Sequence, residues 1–397
     1  MVALTIGRGC VTTDIPKRTL GVACAAHALH DGYTDLMYVM LPVWQADFGL
    51  SYVALAALRA LYVGALAGLQ LPAGKLAARF GGRAVLAFGT VLAAAGYALV
   101  GLSGGLLGLC VALALAGCGS STQHPIASGA VSRVYQTDRR GPLGIYNFAG
   151  DLGKSALPSA ISLLLTFMPW RHTLWMISGV GMTIAAVIAL FMPTIAGACK
   201  SKATYGPASA GRGGFPLLLL IGILDSAVRM GLLTYLPFLL KEKGASLPVV
   251  GVALALVFIG GAGGKFSCGW LGARVGVLWT VVATEGGTAA SIVAVLAAPL
   301  NASLVLLPVL GIMLNGTSSV LYGTVPEVTS TERIERAFAL FYTGTIGSGA
   351  IAPVIYGILG DKLGIDQATL ATAATALAVL PLAFLLAPRL APDRQRS

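Results

Sequence analysis

His27, His30, Asp31 and Asp35 share one long apolar stretch, and Arg59, His124, Asp151, Lys154, Asp225, Arg229, Lys265 and Glu285 are scattered through six others. An ionisable group at membrane depth costs at least ~2.5–3.5 kcal/mol, so each is a candidate for function. Two kinds of chemistry suit them. Asp31, Asp35 and His124 are proton carriers: a carboxyl at mid-depth can be neutralised by a proton, and imidazole titrates near neutral pH. His30, Arg59, Asp151, Lys154, Asp225, Arg229 and Lys265, with Tyr33 and Tyr146, are candidates for holding a solute, and four cations among them suit an anionic or zwitterionic one. Spacing allows Asp225–Arg229 and Asp151–Lys154 to pair within a helix, and Asp35 and Arg59 to pair across helices. Such pairs either merely neutralise each other or break and reform during a transport cycle.

The elements that must position these groups are membrane helices. The 397 residues are 56% hydrophobic and 10% charged, against roughly 25% charged in a soluble domain. Spans need about 20 apolar residues. Twelve candidates read out near 20–45, 51–74, 84–103, 105–132, 143–168, 172–193, 215–240, 247–272, 277–299, 302–326, 337–360 and 367–388. The expected fold is an all-α membrane protein of 12 transmembrane helices in two pseudo-symmetric six-helix halves. The first six-helix bundle takes 1–193, a cytoplasmic linker rich in Lys, Ser, Gly and Pro takes 194–214, and the second bundle takes 215–397. Residues 1–20 carry Arg8, Lys17 and Arg18 but no apolar run ending in small residues, so the first span is expected to be retained.

The net charge of +11 is a topology signal rather than a nucleic-acid footprint. Arg and Lys gather at the termini and in alternate loops, at Arg8, Lys17, Arg18, Lys75, Arg79, Arg83, Arg133, Arg139, Arg140, Lys200, Lys202, Arg212, Arg274, Arg333, Arg336, Arg389, Arg394 and Arg396. That distribution places both ends in the cytoplasm of a cell whose inner membrane carries the protein. The six cysteines (Cys10, Cys24, Cys110, Cys118, Cys199 and Cys268) have neither metal nor disulfide spacing. Gly64-x-x-x-Gly68 and the run Gly260, Gly261, Gly263 and Gly264 are expected to let helix backbones approach.

The halves are related by duplication. Gly74-Lys-Leu-Ala-Ala-Arg79-Phe-Gly81 recurs 195 residues on as Gly269-Trp-Leu-Gly-Ala-Arg274-Val-Gly276. Leu41-Pro42, Gly49 and Pro158 recur as Leu236-Pro237, Gly244 and Pro353. The charged residues do not repeat: Asp31 maps onto Ser226, Asp35 onto Met230 and Lys154 onto Gly349. A scaffold role would tend to repeat in both halves, whereas a bound solute is asymmetric, so the asymmetry favours a site between the halves.

The octet, followed by Gly82-Arg83, resembles the loop signature of the major facilitator superfamily, and Trp170-Arg171 is similar to that family's WR after the fifth helix. Gln123-His124-Pro125 and Asn147-Phe-Ala-Gly-Asp-Leu-Gly153, ending in Pro158, resemble its fosmidomycin-resistance branch of drug exporters. The resemblance implies alternating access, with helices 3, 6, 9 and 12 outside the cavity. On that ground Glu285, on the ninth helix, reads as structural. It also implies a gate at Gly74, Arg79, Gly81, Arg83, Gly269, Arg274 and Gly276. The signature's Asp is replaced by Ala78 and Ala273, so the gate must be latched by other groups.

Gly153-Lys154-Ser155 imitates the tail of a phosphate loop, but Phe148 stands where the leading Gly is required. With no ATP site, pumping must draw on an ion gradient. The expectation is therefore a proton-coupled secondary transporter, an H⁺ antiporter exporting a small organic solute or drug; the alternative is H⁺ symport uptake of an organic anion. Expected partners are the solute, protons and lipid. Expected absences are nucleic acid, cofactor, metal and catalytic activity, and the chain is expected to act as a monomer. An intramembrane enzyme using Asp31, Asp35 and a histidine leaves the duplicated halves without a role, and a sensor of the same fold lacks a signalling domain.

Overall fold

The computed structural model describes residues 14–135, 140–194, 214–329 and 334–390. The expected linker falls outside them except for its two end residues. So do Cys10, Cys199, Arg8, Arg139, Lys200, Lys202, Arg212, Arg333, Arg394 and Arg396.

The described chain is helical throughout, with twelve membrane passes in two sets of six. The first set is α1 (Asp14–Phe48), α2 (Tyr52–Gly68) with α3 (Gln70–Phe80), α4 (Gly82–Leu102), α5 (Leu106–Ser120) with α6 (Gly129–Val134), α7 (Arg140–Leu164) and α8 (Trp170–Phe191). The second is α9 (Phe215–Glu242), α10 (Leu247–Ala297), α11 (Leu300–Thr324), α12 (Ile334–Leu363) and α13 (Ile365–Leu386). α10 supplies two passes, because Gly276 at φ 83° breaks its helical path. Gly81 does the same at φ 90° between α3 and α4, so both octets end on a left-handed glycine, a conformation costly for any residue with a Cβ.

Nine described helical segments are long and apolar enough to cross a membrane, and the pair α2–α3, bent by 42°, makes ten. The two passes that fall short are α1 and α7. They carry His27, His30, Asp31, Asp35, Asp151 and Lys154, so their polar residues, not their lengths of 35 and 25 residues, lower their apolarity.

Helix contact relies on small residues, as lipid offers no hydrophobic drive for helix association. A methyl at Gly260, Gly264 or Gly311 would lie 2.1–2.3 Å from a backbone oxygen of the facing helix, which locks α10 onto α11. Gly64 and Gly68 do not act this way: a Cβ there meets nothing within 4 Å. Gly68 instead ends α2 where the pass bends into α3.

The chain forms two compact units. One contains 1–34, 65–153 and 171–201; the other contains 35–64, 154–170 and 202–397. In the first, Tyr33, Tyr97 and Ser178 tie α1, α4 and α8 together. Tyr33 donates to the Ile177 carbonyl at 2.8 Å, Ser178 to that of Ala94 at 2.7 Å, and Tyr97 to that of Tyr33. In the second, parts of both sets of helices pack together. Asp361, at the end of α12, accepts hydrogen bonds from the backbone N–H groups of Tyr52 (2.7 Å) and Val53 (3.0 Å) at the start of α2. Ser51 Oγ accepts from Ala54 N at 3.2 Å, so the first three N–H groups of α2, which have no partner within the helix, are all satisfied.

Candidate functional site

α1 and α7 touch along a glycine face. A methyl at Gly153 would lie 2.0 Å from the Ala28 carbonyl oxygen, and one at Gly150 would lie 2.6 Å from His27 Cε1 and 2.7 Å from Asp31 Oδ2. This close approach leaves room for two polar side chains one helical turn apart. His27 Nε2 lies 3.3 Å from Asp31 Oδ2, and His124 Nε2 lies 3.7 Å from Asp31 Oδ1. His27 is stacked on Tyr146 with ring centroids 4.0 Å apart, and its Nδ1 lies 2.8 Å from the Tyr146 carbonyl oxygen.

Donor bookkeeping shows what this arrangement can do. A carbonyl oxygen only accepts, so Nδ1 of His27 carries the hydrogen and Nε2 of the neutral ring presents a lone pair. That lone pair faces a carboxylate oxygen. The contact is satisfied only when a proton lies between them, on either atom. Buried polar atoms normally find partners, yet Nε2 of His27 has no hydrogen-bond partner of good geometry. His27 and Asp31 are 4% and 7% exposed, so this proton is held away from bulk water.

His124 reaches the cluster through a local irregularity. Residues His124–Ser128 form a π-helical turn between α5 and α6, with Pro125 at its start. Proline lacks an N–H, and π turns recur at functional positions because they redirect side chains. His27, Asp31 and His124 each offer one ligand atom, all within 4.8 Å of one another, so the same cluster is compact enough for a divalent cation, which the sequence reading did not expect.

His30, in the same stretch, is used differently. Thr90 gives its hydroxyl hydrogen to the Leu86 carbonyl (2.8 Å), so it accepts from His30 Nε2 at 3.0 Å, leaving Nδ1 to accept from Ser120 at 3.2 Å. Both ring nitrogens are thus engaged by packing hydroxyls. Tyr33 is fully buried between α4 and α8. Asp151 and Lys154 are each partly buried on α7.

Asp35 and Arg59 lie in the second unit, 7% and 3% exposed. Arg59 donates to Tyr38 Oη (2.8 Å) and to the Gly349 carbonyl oxygen (3.1 Å). These bonds join α1, α2 and α12 through its two terminal nitrogens, while its buried Nε makes no hydrogen bond.

A cavity of about 410 Å³ opens among α9–α12, lined by Asp225, Arg229, Lys265, Ser318, Tyr322 and Tyr342 among others. Arg229 reaches Asp225 Oδ2 at 3.8 Å, as the four-residue spacing predicted, and Ser318 Oγ at 3.3 Å. Tyr322 and Tyr342, ring centroids 5.0 Å apart, form an aromatic wall. Two cations, hydroxyls and aromatic rings around a space of this size fit a small organic anion.

The signature residues frame the loops. Arg79 lies over the Phe80 ring (5.3 Å) and Arg274 over the Trp270 ring (4.1 Å). Arg83 is exposed just after Gly81, Gly74 lies within α3, and Gly269 and Gly276 lie within α10.

The family model of the Major Facilitator Superfamily matches residues 23–210 and 218–397. The chain belongs to the major facilitator superfamily. It is thus a multi-pass membrane protein of a family of solute transporters, and family and fold point to transport rather than catalysis. The chain is 23% identical over 356 residues to the fosmidomycin resistance protein of Escherichia coli K12, covering 87% of each chain. It is 24% identical over 314 residues to human monocarboxylate transporter 11, covering 73% of this chain and 65% of that one. A bacterial homologue of the human lysosomal transporter Spinster, solved inward-facing and occupied, superposes with a TM-score of 0.78 at 14% identity, over 96% of this chain and 100% of that one.

Two residues of these clusters were missing from the sequence-based site. His27 stands four residues before Asp31 on the same helix face, a signal present in the spacing. Glu285 was set aside because of its helix number; it is 2% exposed, close enough to Asp225 for their charges to act on each other.

Proposed function

We propose that this protein is a proton-coupled transporter of a small organic anionic or zwitterionic solute, exporting it in exchange for H⁺ by alternating access. The observation that carries the reading is the buried His27–Asp31 contact, which requires a proton that His124 can deliver or remove. Similarity to a resistance protein supports export. The placement of Arg and Lys supports an inner-membrane location with cytoplasmic termini, and the 195-residue repeat supports bundles at 1–193 and 215–397 joined by a linker at 194–214. Arg229 and Lys265 bind the anionic group, and the two octets form the gate of a working monomer.

The test is transport in proteoliposomes with an imposed pH gradient, after a growth screen against antibiotics and organic acids has identified a solute. Asp31→Asn and His27→Gln should abolish pH-driven movement while the protein still reaches the membrane. Solute flux indifferent to the gradient, or unchanged in Asp31→Asn, would sink the proton-coupled reading. A second reading, uptake of an organic anion with H⁺, is favoured by one feature: Arg229, one of the two cations of the cavity, lies beside an acid that a proton would neutralise.

A further inference from the structure

His27, Asp31 and His124 lie in one compact unit, the first two on α1 and the third at the start of the π-helical turn. His27 is held as a metal ligand is held. Its ring is stacked on Tyr146, and Nδ1 gives its hydrogen to the Tyr146 carbonyl oxygen at 2.8 Å. A carbonyl on one ring nitrogen is the usual orienting partner of a metal-bound histidine, because it fixes the tautomer and aims the other lone pair. That lone pair, on Nε2, is buried and has no hydrogen-bond partner, although Asp31 Oδ2 is 3.3 Å away. Two polar atoms this close without hydrogen-bond geometry face a common point rather than each other.

The distances suit one ion at that point. Zn²⁺ is bound by imidazole and carboxylate at about 2.0–2.2 Å in tetrahedral sites, which puts neighbouring ligand atoms about 3.3–3.6 Å apart. His27 Nε2 lies 3.3 Å from Asp31 Oδ2, and His124 Nε2 lies 3.7 Å from Asp31 Oδ1. One ligand atom from each of the three residues lies within 4.8 Å of the other two. The remaining adjustment falls on His124, whose side chain is 43% exposed, against 5% for His27 and 10% for Asp31. The same exposure gives an ion a way in and leaves room for water as a fourth ligand. Gly150 keeps the space open: a methyl there would lie 2.7 Å from Asp31 Oδ2 and 2.8 Å from His27 Nε2.

We propose that His27 Nε2, the Asp31 carboxylate and His124 Nε2 form a binding site for one divalent first-row transition-metal ion of the Co²⁺–Zn²⁺ kind. Two imidazoles and a single carboxylate select against Mg²⁺ and Ca²⁺, which take six or more oxygen ligands. The bound ion occupies the lone pair and the carboxylate between which the proposed transport cycle places its proton, so it arrests proton-coupled flux. That arrest rests on the proton-coupled reading; the metal site does not.

The test is titration of the purified full-length protein with Co²⁺, in lipid nanodiscs and without a polyhistidine tag, followed by visible absorption. Four-coordinate Co²⁺ gives d–d bands far stronger than those of its octahedral aqua ion, and Zn²⁺, which such donors bind more tightly, should displace it and abolish them. The wild type should bind one Co²⁺ per chain with these bands. Loss of a mere outer-shell partner costs roughly 10–100-fold in metal affinity. His27→Gln, Asp31→Asn and His124→Gln should therefore each weaken binding by at least about 10-fold. His124→Gln, the most exposed of the three positions, keeps the test open if the buried variants fail to fold. His172→Gln, which alters an exposed histidine on α8, should bind as the wild type does. A wild type showing only the aqua-ion spectrum, bands undiminished in His124→Gln, or bands lost in His172→Gln overturns the proposal. Bands as expected, with pH-driven flux continuing while Zn²⁺ is bound, uphold the metal site and count against the proton-coupled reading of this cluster. The titration needs no solute, so failure of the transport assays leaves its result standing.

Discussion

Replacing Asp361 with alanine strips the first turn of α2 of two partners at once, the acceptors for Tyr52 N and Val53 N at 2.7 and 3.0 Å. Hydrogen bonds to charged groups contribute about 1.5–3 kcal/mol each when buried, but Asp361 is exposed, so the lower values for caps and helix dipoles apply. A lost cap costs about 1 kcal/mol, and a lost anion at a helix N-terminus costs roughly 0.3–1 kcal/mol more. Together they come to about 2 kcal/mol, or on the order of 30-fold in the equilibrium that keeps α2 against α12. Ser51 still caps Ala54, so α2 should still form; what weakens is its attachment to α12. The assay is the rate at which a membrane-impermeant maleimide labels Ser159→Cys. Ser159 is partly buried and donates to the Gly251 carbonyl oxygen at 3.1 Å in the same compact unit. Labelling should accelerate roughly 10–30-fold with Asp361→Ala, by the same conversion of energy to population, and by less with Asp361→Asn. An unchanged rate, or an equal acceleration from Ser51→Ala, would refute the reasoning, because the latter would mean that helix fraying and not loss of the cross-helix bond opens the contact.

Gly150→Ala should displace the His27–Asp31 pair and abolish proton-coupled flux, and Gly153→Ala, which drives a methyl against backbone, should lower the melting temperature and yield by the roughly 1–3 kcal/mol of an overpacked core. Gly144→Ala, which meets nothing within 4 Å, should leave both unchanged or add slightly to stability. Thr90→Val leaves His30 Nε2–H without its acceptor; thermal stability should fall by about 1–3 kcal/mol, while the pH dependence of flux in the surviving protein stays that of wild type. Lys265→Gln should raise the KM for an anionic solute several-fold with little change in melting temperature, since Lys265 is exposed at the cavity.

The duplication was the most legible feature of the sequence, because backbone geometry is written in single residues. Gly49 and Gly244, and Gly81 and Gly276, have positive φ at matched places. Asp31 and His124 were also legible as chemistry, since a charge in an apolar stretch stands out wherever it points. What residue type does not encode is which helix faces meet. His30 and Asp31 are neighbours in sequence, yet one packs against Thr90 and Ser120 while the other meets His27 and His124. Arg59 stood out in the same way, but its hydrogen bonds to Tyr38 and the Gly349 carbonyl, on α1 and α12, are not written in its residue type. Glu285 was judged by the number of its helix, and helix numbering says nothing about how far a glutamate reaches between helices. Asp361 lies at the exposed end of α12, where an acidic residue gives no sign that it caps another helix.

The π turn at His124–Ser128 makes the fourth pass an insertion in disguise. One residue more per turn than an α-helix is a phase shift of about 100° in the direction of every side chain beyond it. Deleting one of the residues 125–128 would let the pass relax into regular helix and swing His124 round relative to the end that carries Arg133. The hydropathy, length and composition of the span would hardly change. This pass should therefore tolerate many apolar substitutions but no single-residue gain or loss, and a relative one residue shorter here would share the fold without the histidine arm of the proton cluster.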